Sequence, residues 1–262
     1  MKFGLIGYPL SHSFSQRYFS EKFSREGLPH SYHNFPVENI GLVKQLAENH
    51  PDLAGFNVTI PYKQQMIPFL STVDEVALAV GAVNTVRVTR TDAGISLHGY
   101  NSDVYGFRRS LEESYRACRQ PFPEKALVLG TGGASKAVIW VLRQLGIEPH
   151  FISRNPAANI YKTYSELNPS DIDKHLLIVN TTPLGMYPNT DACADIPYSR
   201  LTSRHVLFDL IYNPATTLFL QKGSEQGAFA FNGENMLWYQ AEKAWEIWNN
   251  EPFFCPVIQS VG

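Results

Sequence analysis

Lys63 stands two residues beyond Pro61, at the end of the run Phe56-Asn57-Val58-Thr59-Ile60. Phe56, Val58 and Ile60 alternate with Asn57 and Thr59, the period-2 pattern of a half-buried strand. Pro61 has no N–H to give a sheet ladder, so the strand is expected to stop near it and to present the lysine past its carboxyl end. Open α/β sheets bind their ligands at that edge; a turn lysine in water is the competing reading. Ser13 and Ser15 fall at or just inside the start of a helix marked by Phe14, Tyr18, Phe19 and Phe23. Hydroxyls and free N–H groups at a helix start form an anion site, although Ser13 also reads as a plain N-cap and His12 as a loop residue. Asn84 stands at a Gly81-led turn, able to bond its own backbone or a ligand. Asp103, ahead of a helical pattern over 104–118, reads as an N-capping carboxylate.

A second set of residues is suited to phosphate. Gly130-Thr131-Gly132-Gly133-Ala134-Ser135 separates a buried strand at 125–129 from a helix at 136–145 that Gly146 ends, and another strand follows at 149–153. That is a βαβ unit with a Gly-rich turn where a pyrophosphate is cradled: Gly130 permits the tight turn and Gly132 lets the backbone approach the ligand. Ser135 takes the third glycine position, so the strict fingerprint is not met. About 20 residues on, an NAD site carries Asp or Glu for the ribose hydroxyls. Here the residues are Ser153-Arg154-Asn155, and the planar fork of an arginine suits a 2′-phosphate, which favours NADP; a surface arginine is the competing reading. Thr181, in the turn Asn180-Thr181-Thr182-Pro183 after a strand at 176–179, is placed to line the cofactor groove.

The elements that position these groups alternate strand, helix, strand, helix, strand through residue 63, which points to a mostly parallel sheet. A hairpin turns at Asp92-Ala93-Gly94, and Arg108-Arg109 read as a solvated helix face. Gln120-Pro121-Phe122-Pro123 is a linker candidate. Few residues separate Arg154 from the strand at 176, so the crossover helix there is expected to be shortened or absent. The last helix, from about 235, carries Leu237, Ala241, Ala244, Trp245 and Trp248 as a stripe, with Gln240 beside it.

The 262 residues are 44% hydrophobic and 18% charged, near the averages for a soluble globular chain, and suffice for two ordinary domains. A net charge of −2 gives no electrostatic footprint for nucleic acid or anionic membrane. Cys118, Cys193 and Cys255 match neither a disulfide framework nor a metal-ligand spacing, so no metal is expected. Neither a signal peptide nor an apolar run of membrane-spanning length is expected, which favours a cytoplasmic protein.

Taken together, the motifs resemble the shikimate dehydrogenases from end to end. The resemblance rests on Gly7-Tyr8-Pro9-Leu10-Ser11-His12-Ser13-Phe14-Ser15, Asn57-Val58-Thr59-Ile60-Pro61-Tyr62-Lys63, Gly81-Ala82-Val83-Asn84-Thr85, Asn101-Ser102-Asp103, the 130–135 turn, Asp209-Leu210-Ile211-Tyr212-Asn213-Pro214, and Gly233-Glu234-Asn235-Met236-Leu237-Trp238-Tyr239-Gln240. It implies an α/β substrate domain at 1–103, a Rossmann NADP domain at 104–234, and a C-terminal helix over 235–262 packing back on the first. It implies reversible NADPH-dependent reduction of 3-dehydroshikimate to shikimate, within the pathway to the aromatic amino acids, by a monomer or homodimer. Carried over by motif, Lys63 and Asp103 are the catalytic pair. Ser13 and Ser15 hold the substrate carboxylate, and Thr59, Asn84, Asp103 and Gln240 the ring hydroxyls. Tyr212 lies near substrate, while Gly130, Thr131, Gly132, Gly133, Ala134, Arg154, Thr181, Ile211 and Gly233 serve the cofactor. Hydride delivery to a ketone leaves negative charge on its oxygen, and an ammonium such as that of Lys63 stabilises that charge and supplies a proton.

Two departures matter. Gln16 replaces a proline common in the family, and no basic residue follows Arg154 in Pro156-Ala157-Ala158-Asn159, so weakened NADP selectivity is expected. The alternatives are a quinate-oxidising relative with relaxed or NAD cofactor use, a folate-linked dehydrogenase of similar plan, and a non-catalytic NAD(P)-dependent regulator on the same fold. The last is opposed by retention of both Lys63 and Asp103.

Overall fold

The strand and helix patterns fold into two α/β units, one formed by Met1–Tyr105 together with the segment that begins at Gln240, the other by Gly106–Tyr239. The computed structural model describes residues 1–10, 13–155 and 160–249; His12, residues 156–159 and Cys255 lie outside them.

The first unit runs β1 (Lys2–Gly7), α1 (Phe14–Arg25), β2 (Ser31–Pro36), α2 (Val43–Asn49), β3 (Leu53–Val58), β4 (Thr72–Val73), α3 (Glu75–Val80), β5 (Thr85–Thr91) and β6 (Gly94–Tyr100). Its sheet has the order β2-β1-β3-β5-β6-β4. β1 pairs in parallel with β2 and β3, and the antiparallel hairpin β5–β6 extends that half of the sheet. One face is covered by a core that includes Ile6, Phe56, Val58, Met66 and Val86. The other holds Phe3, Leu5, Phe19, Phe23 and Tyr32.

β3 departs from the half-buried pattern expected of it. It lies between β1 and β5 with cores on both faces, so Asn57 is buried beside Phe56 and Val58. The strand ends at Val58, and Ile60, expected to point inward, is 76% exposed. Alternation marks one wet face, and a central strand has none.

α4 (Ser102–Cys118) leads into the second unit, followed by β7 (Lys125–Leu129), α5 (Gly133–Gln144), β8 (Glu148–Ser153), β9 (Lys162–Thr163), α6 (Pro169–Lys174), β10 (Leu177–Asn180), β11 (Val206–Asp209), α7 (Leu218–Glu225) and β12 (Phe229–Phe231). All strand pairs are parallel, in the order β12-β11-β10-β7-β8-β9. Numbered within the unit this is the 3-2-1-4-5-6 order of a doubly wound nucleotide fold, with its switch point between β7 and β10. The crossover after Arg154 is reduced as expected: a two-residue strand, a single 3-10 turn at Tyr164–Glu166 and the six-residue α6. Arg108, expected on a solvated face, is 5% exposed and donates to Glu112 at 2.9 Å. The core claims it because tertiary packing, not the local charge pair, sets which face of α4 is wet.

α8 (Glu234–Trp248) is the last element among the described residues. Its Ala241, Ala244, Ile247 and Trp248 join the aromatic core of the first sheet, as expected of a helix that returns to it. Trp248 stacks on Phe3 with ring centroids 4.8 Å apart and donates from Nε1 to the Val86 carbonyl at 3.0 Å. Among the described residues no helix is long and apolar enough to cross a membrane.

Candidate active site

Lys63 sits in the turn that follows β3, with its backbone pinned from both sides. Tyr62 N–H bonds the Thr59 carbonyl at 2.9 Å, and Val83 N–H bonds the Lys63 carbonyl at 2.7 Å. Its ammonium meets Asp103 Oδ2 at 2.7 Å, the two side chains being 20% and 11% exposed. Asp103 does not cap α4. That place belongs to Asn101, whose Oδ1 accepts from Val104 N–H at 3.2 Å while its Nδ2 donates to the Ala82 carbonyl at 2.9 Å. Asn and Asp cap equally well; Asn101 wins because Asp103 lies inside the first turn, where its carboxylate is left for the lysine.

Around this pair runs a buried polar network. Asn84 Oδ1 accepts from Ser102 N–H at 2.7 Å and from Thr85 Oγ1 at 3.1 Å, and its Nδ2 donates to Ser102 Oγ at 3.0 Å. One N–H of Asn84 is left for a ligand. Asn57 Nδ2 reaches the Asn84 carbonyl and Thr85 Oγ1, both at 3.3 Å, while its Oδ1 accepts from Tyr32 Oη at 2.8 Å. Burial pushes the Tyr32 hydroxyl pKa upward, and Ser15 is half-buried in the first turn of α1. A continuous chain of bonds therefore joins Tyr32 to Ser102, the residue preceding Asp103. Ser13 is the N-cap of α1, accepting from Gln16 N–H at 3.0 Å and donating to Asn34 Oδ1 at 3.0 Å. Thr59 is half-buried beside Lys63's turn, and Gln240 is buried on α8 within the same unit. Tyr32, Asn57, Thr85 and Ser102 were missed from sequence because each reads as an ordinary strand or cap residue.

In the second unit, Gly130, Thr131, Gly132, Arg154 and Thr181 line one cavity of about 300 Å³, joined there by Tyr164 and Leu184, which carry no sequence signal for the role. Gly130 has φ +98°, and a Cβ there would lie 2.7 Å from Thr182 Cγ2, so only glycine fits. Gly132 is the N-cap of α5 and no side chain caps it. A Cβ on Gly132 or Gly133 would meet nothing within 4 Å, which leaves open backbone at a helix start where a phosphate can approach. Ala134 follows in the first turn of α5. This cradle, with the arginine beyond it, fits a phosphorylated dinucleotide.

Asp209 braces that edge of the sheet. It accepts from Asn180 Nδ2 at 3.0 Å, from Ile211 N–H at 3.0 Å and from the Thr217 hydroxyl at 2.6 Å. Burial pushes its carboxyl pKa up to about 6 against those three bonds. Ile211 is buried, Tyr212 is exposed, and Gly233 is buried with its N–H on the Ile211 carbonyl at 3.0 Å and its carbonyl accepting from Leu237. Gly233 has no room for a side chain, since a Cβ would fall on the Leu210 carbonyl. Among the described residues no group of three or more His, Cys, Asp or Glu could hold a metal ion.

A unit bearing a strand-end lysine–aspartate pair, followed by a doubly wound unit with a glycine cradle and an arginine, defines a two-domain nicotinamide-nucleotide dehydrogenase. Residues 5–86 match the family model for the shikimate dehydrogenase substrate binding domain. A shikimate dehydrogenase (NADP(+)) of Staphylococcus aureus is 33% identical over 96% of this chain and 93% of the relative. One of Methanococcus maripaludis is 36% identical over 94% and 90%. The crystal structure of the Thermus thermophilus shikimate 5-dehydrogenase in complex with NADP(H) and shikimate superposes with a TM-score of 0.79 at 28% identity, covering 95% of this chain and 93% of the other. The chain belongs to the shikimate dehydrogenase family.

Proposed function

We propose that this protein catalyses the reversible reduction of 3-dehydroshikimate to shikimate with NADPH, in the pathway to the aromatic amino acids. The observation that carries the reading is the 2.7 Å contact between Lys63 and Asp103 at a strand end. When bound, NADPH supplies the hydride. Lys63 holds the carbonyl oxygen by its ammonium as negative charge grows there and gives that oxygen a proton. Asp103 keeps the ammonium in place and accepts from a neighbouring ring hydroxyl. The remaining N–H of Asn84, with Thr59 and Gln240, serves the other hydroxyls, and Ser13 and Ser15 take the carboxylate. Tyr212 adds a contact to the substrate.

On the cofactor side, the backbone of residues 130–134 holds the pyrophosphate and Arg154 the 2′-phosphate, while Thr181, Ile211 and Gly233 shape the nicotinamide end. Phosphate recognition by a single basic residue keeps the preference for NADPH moderate. The test follows NADPH absorbance on adding shikimate and NADP⁺, then repeats it with NAD⁺ and with quinate. Turnover of shikimate with NADP⁺ is expected, with a preference in kcat/KM over NAD⁺ below about three decades. No turnover of shikimate with either cofactor overturns the reading.

A further inference from the structure

β11 changes character at its last residue. Val206, Leu207 and Phe208 are apolar and buried, and Asp209 after them is buried just as completely. Its partners are all neutral donors: Oδ1 accepts from Asn180 Nδ2 and Ile211 N–H, both at 3.0 Å, and Oδ2 from the Thr217 hydroxyl at 2.6 Å. Enclosing a carboxyl group among neutral partners is costly, and an apolar residue would continue the strand without that cost. An apolar residue would also release all three donors.

Those donors belong to different segments of the sheet's carboxyl edge. Asn180 ends β10, and its Oδ1 accepts from Thr182 N–H at 3.0 Å and from the Thr182 hydroxyl at 2.7 Å, so its amide ties the turn after β10 to Asp209. The bond to Ile211 N–H, two residues on, closes an Asx turn that sets the direction of the chain leaving β11. The Ile211 carbonyl then accepts from Gly233 N–H at 3.0 Å, in the turn after β12. Gly233 is packed so closely on Leu210 that a Cβ would fall on the Leu210 carbonyl. A shift of residues 210 and 211 therefore carries Gly233 with it. The bond to Thr217 leads elsewhere, to the N-cap of α7.

We propose that Asp209 is a positioning residue for hydride transfer, fixing the place of Ile211 and Gly233 by its bond to the Ile211 N–H. This rests on the reading that those two residues shape the nicotinamide end. The requirement is for acceptors in the right place and not for charge. An asparagine can keep its oxygen on Asn180 and Ile211 and turn its N–H to the Thr217 hydroxyl, which is able to accept.

The test compares single-turnover NADPH formation from shikimate and NADP⁺ with calorimetric binding of adenosine 2′,5′-bisphosphate, which has no nicotinamide, and with melting temperature. Asp209→Ala is expected to slow turnover about 30–100-fold, the scale of a misplacement near 1 Å, and to leave the bisphosphate within about twofold. Asp209→Asn is expected to recover the rate to within about threefold of the unaltered protein. Thr217→Val removes a partner of the same carboxylate that does not lead to Ile211, so it is expected to lower the melting temperature while the rate stays within about threefold. Should the alanine variant not fold, Asp209→Ser takes its place; it offers one hydroxyl oxygen where three donors converge, and a loss of about tenfold is expected. A rate within about threefold in whichever of these two variants folds overturns the proposal. So does a loss in Asp209→Asn or Thr217→Val as large as that in the alanine variant, the first assigning the effect to charge and the second to general loosening. No turnover in the unaltered protein removes the reading of the nicotinamide end itself, a different failure from normal turnover that Asp209→Ala leaves unmoved.

Discussion

Replacing Lys63 by alanine tests the catalytic pair directly. An ammonium about 3 Å from a full negative charge, at an effective dielectric near 20, contributes about 5 kcal/mol. Charge on the carbonyl oxygen is only part-developed at the transition state, so about half of that is the electrostatic share, or roughly two decades in rate. Proton donation acts on the same oxygen, so it overlaps with that share instead of multiplying it, and the general acid–base help that covers both is typically worth about 10²–10⁴-fold. The geometry raises the expectation further. With the lysine gone, Asp103, its side chain only 11% exposed, faces the growing oxyanion without a counter-charge. Lys63→Ala is therefore expected to lower kcat by about 10³–10⁴ and to change the KM for shikimate far less.

The measurement is steady-state NADPH formation from shikimate and NADP⁺, with circular dichroism and NADPH binding to show that the fold and the cofactor site persist. Two companions sharpen it. Lys63→Ala/Asp103→Asn removes the uncompensated carboxylate and is expected to recover part of the loss, a non-additivity diagnostic of a coupled pair. Because the Lys63 side chain is 20% exposed, a small alkylammonium ion has a way in, and rescue rising with its concentration is expected. A kcat within about fivefold of the unaltered protein, or a loss confined to KM, refutes the assignment.

The two glycines of the phosphate turn should fail differently. Gly130→Ala puts a side chain at φ +98° and 2.7 Å from Thr182, so stability should fall by about 1–3 kcal/mol in denaturant titration. Gly132→Ala points into open space at φ −74°, so stability should hold within about 1 kcal/mol while NADPH affinity falls; equal behaviour of the two would count against the cradle. Asp209 gives a pH test. Its folded pKa, about 6, is above the ordinary aspartate value of 3.8, so the native state holds the extra proton between them. Stability from this group is thus fully present below about pH 4 and lost as pH rises towards 6, by about 3 kcal/mol at most, with no further change above. Asp209→Asn removes the effect, so the unfolding free energy of the variant minus that of the unaltered protein should climb between pH 4 and 6 and level off at 7. A difference that stays flat across that window rules out the raised carboxyl.

Residues that act at the ends of elements were legible, and those that act in the middle were not. Pro61 marked the end of β3 and so exposed Lys63; Gly130 and Gly132 marked the turn after β7. Punctuation of this kind is local, since it depends on what one residue's backbone can do. Asn57 was invisible for the opposite reason: a polar residue alternating with apolar ones predicts a wet face, and only the placement of β3 between β1 and β5 turns it inward, onto Tyr32 and Thr85. Asn101 and Asp103 show the same limit at shorter range, because both types cap a helix and a shift of two residues decides which is free to hold a lysine. Tyr164 had no signal at all, since it lies in a single 3-10 turn whose seat depends on where β9 falls against β8. The argument from alternation therefore needs a second condition. A polar residue inside an apolar run points outward only if its strand is at an edge or one face of the sheet is bare. Where helical patterns precede and follow the strand, as around Asn57, that residue is better read as part of a buried network that positions the strand-end groups.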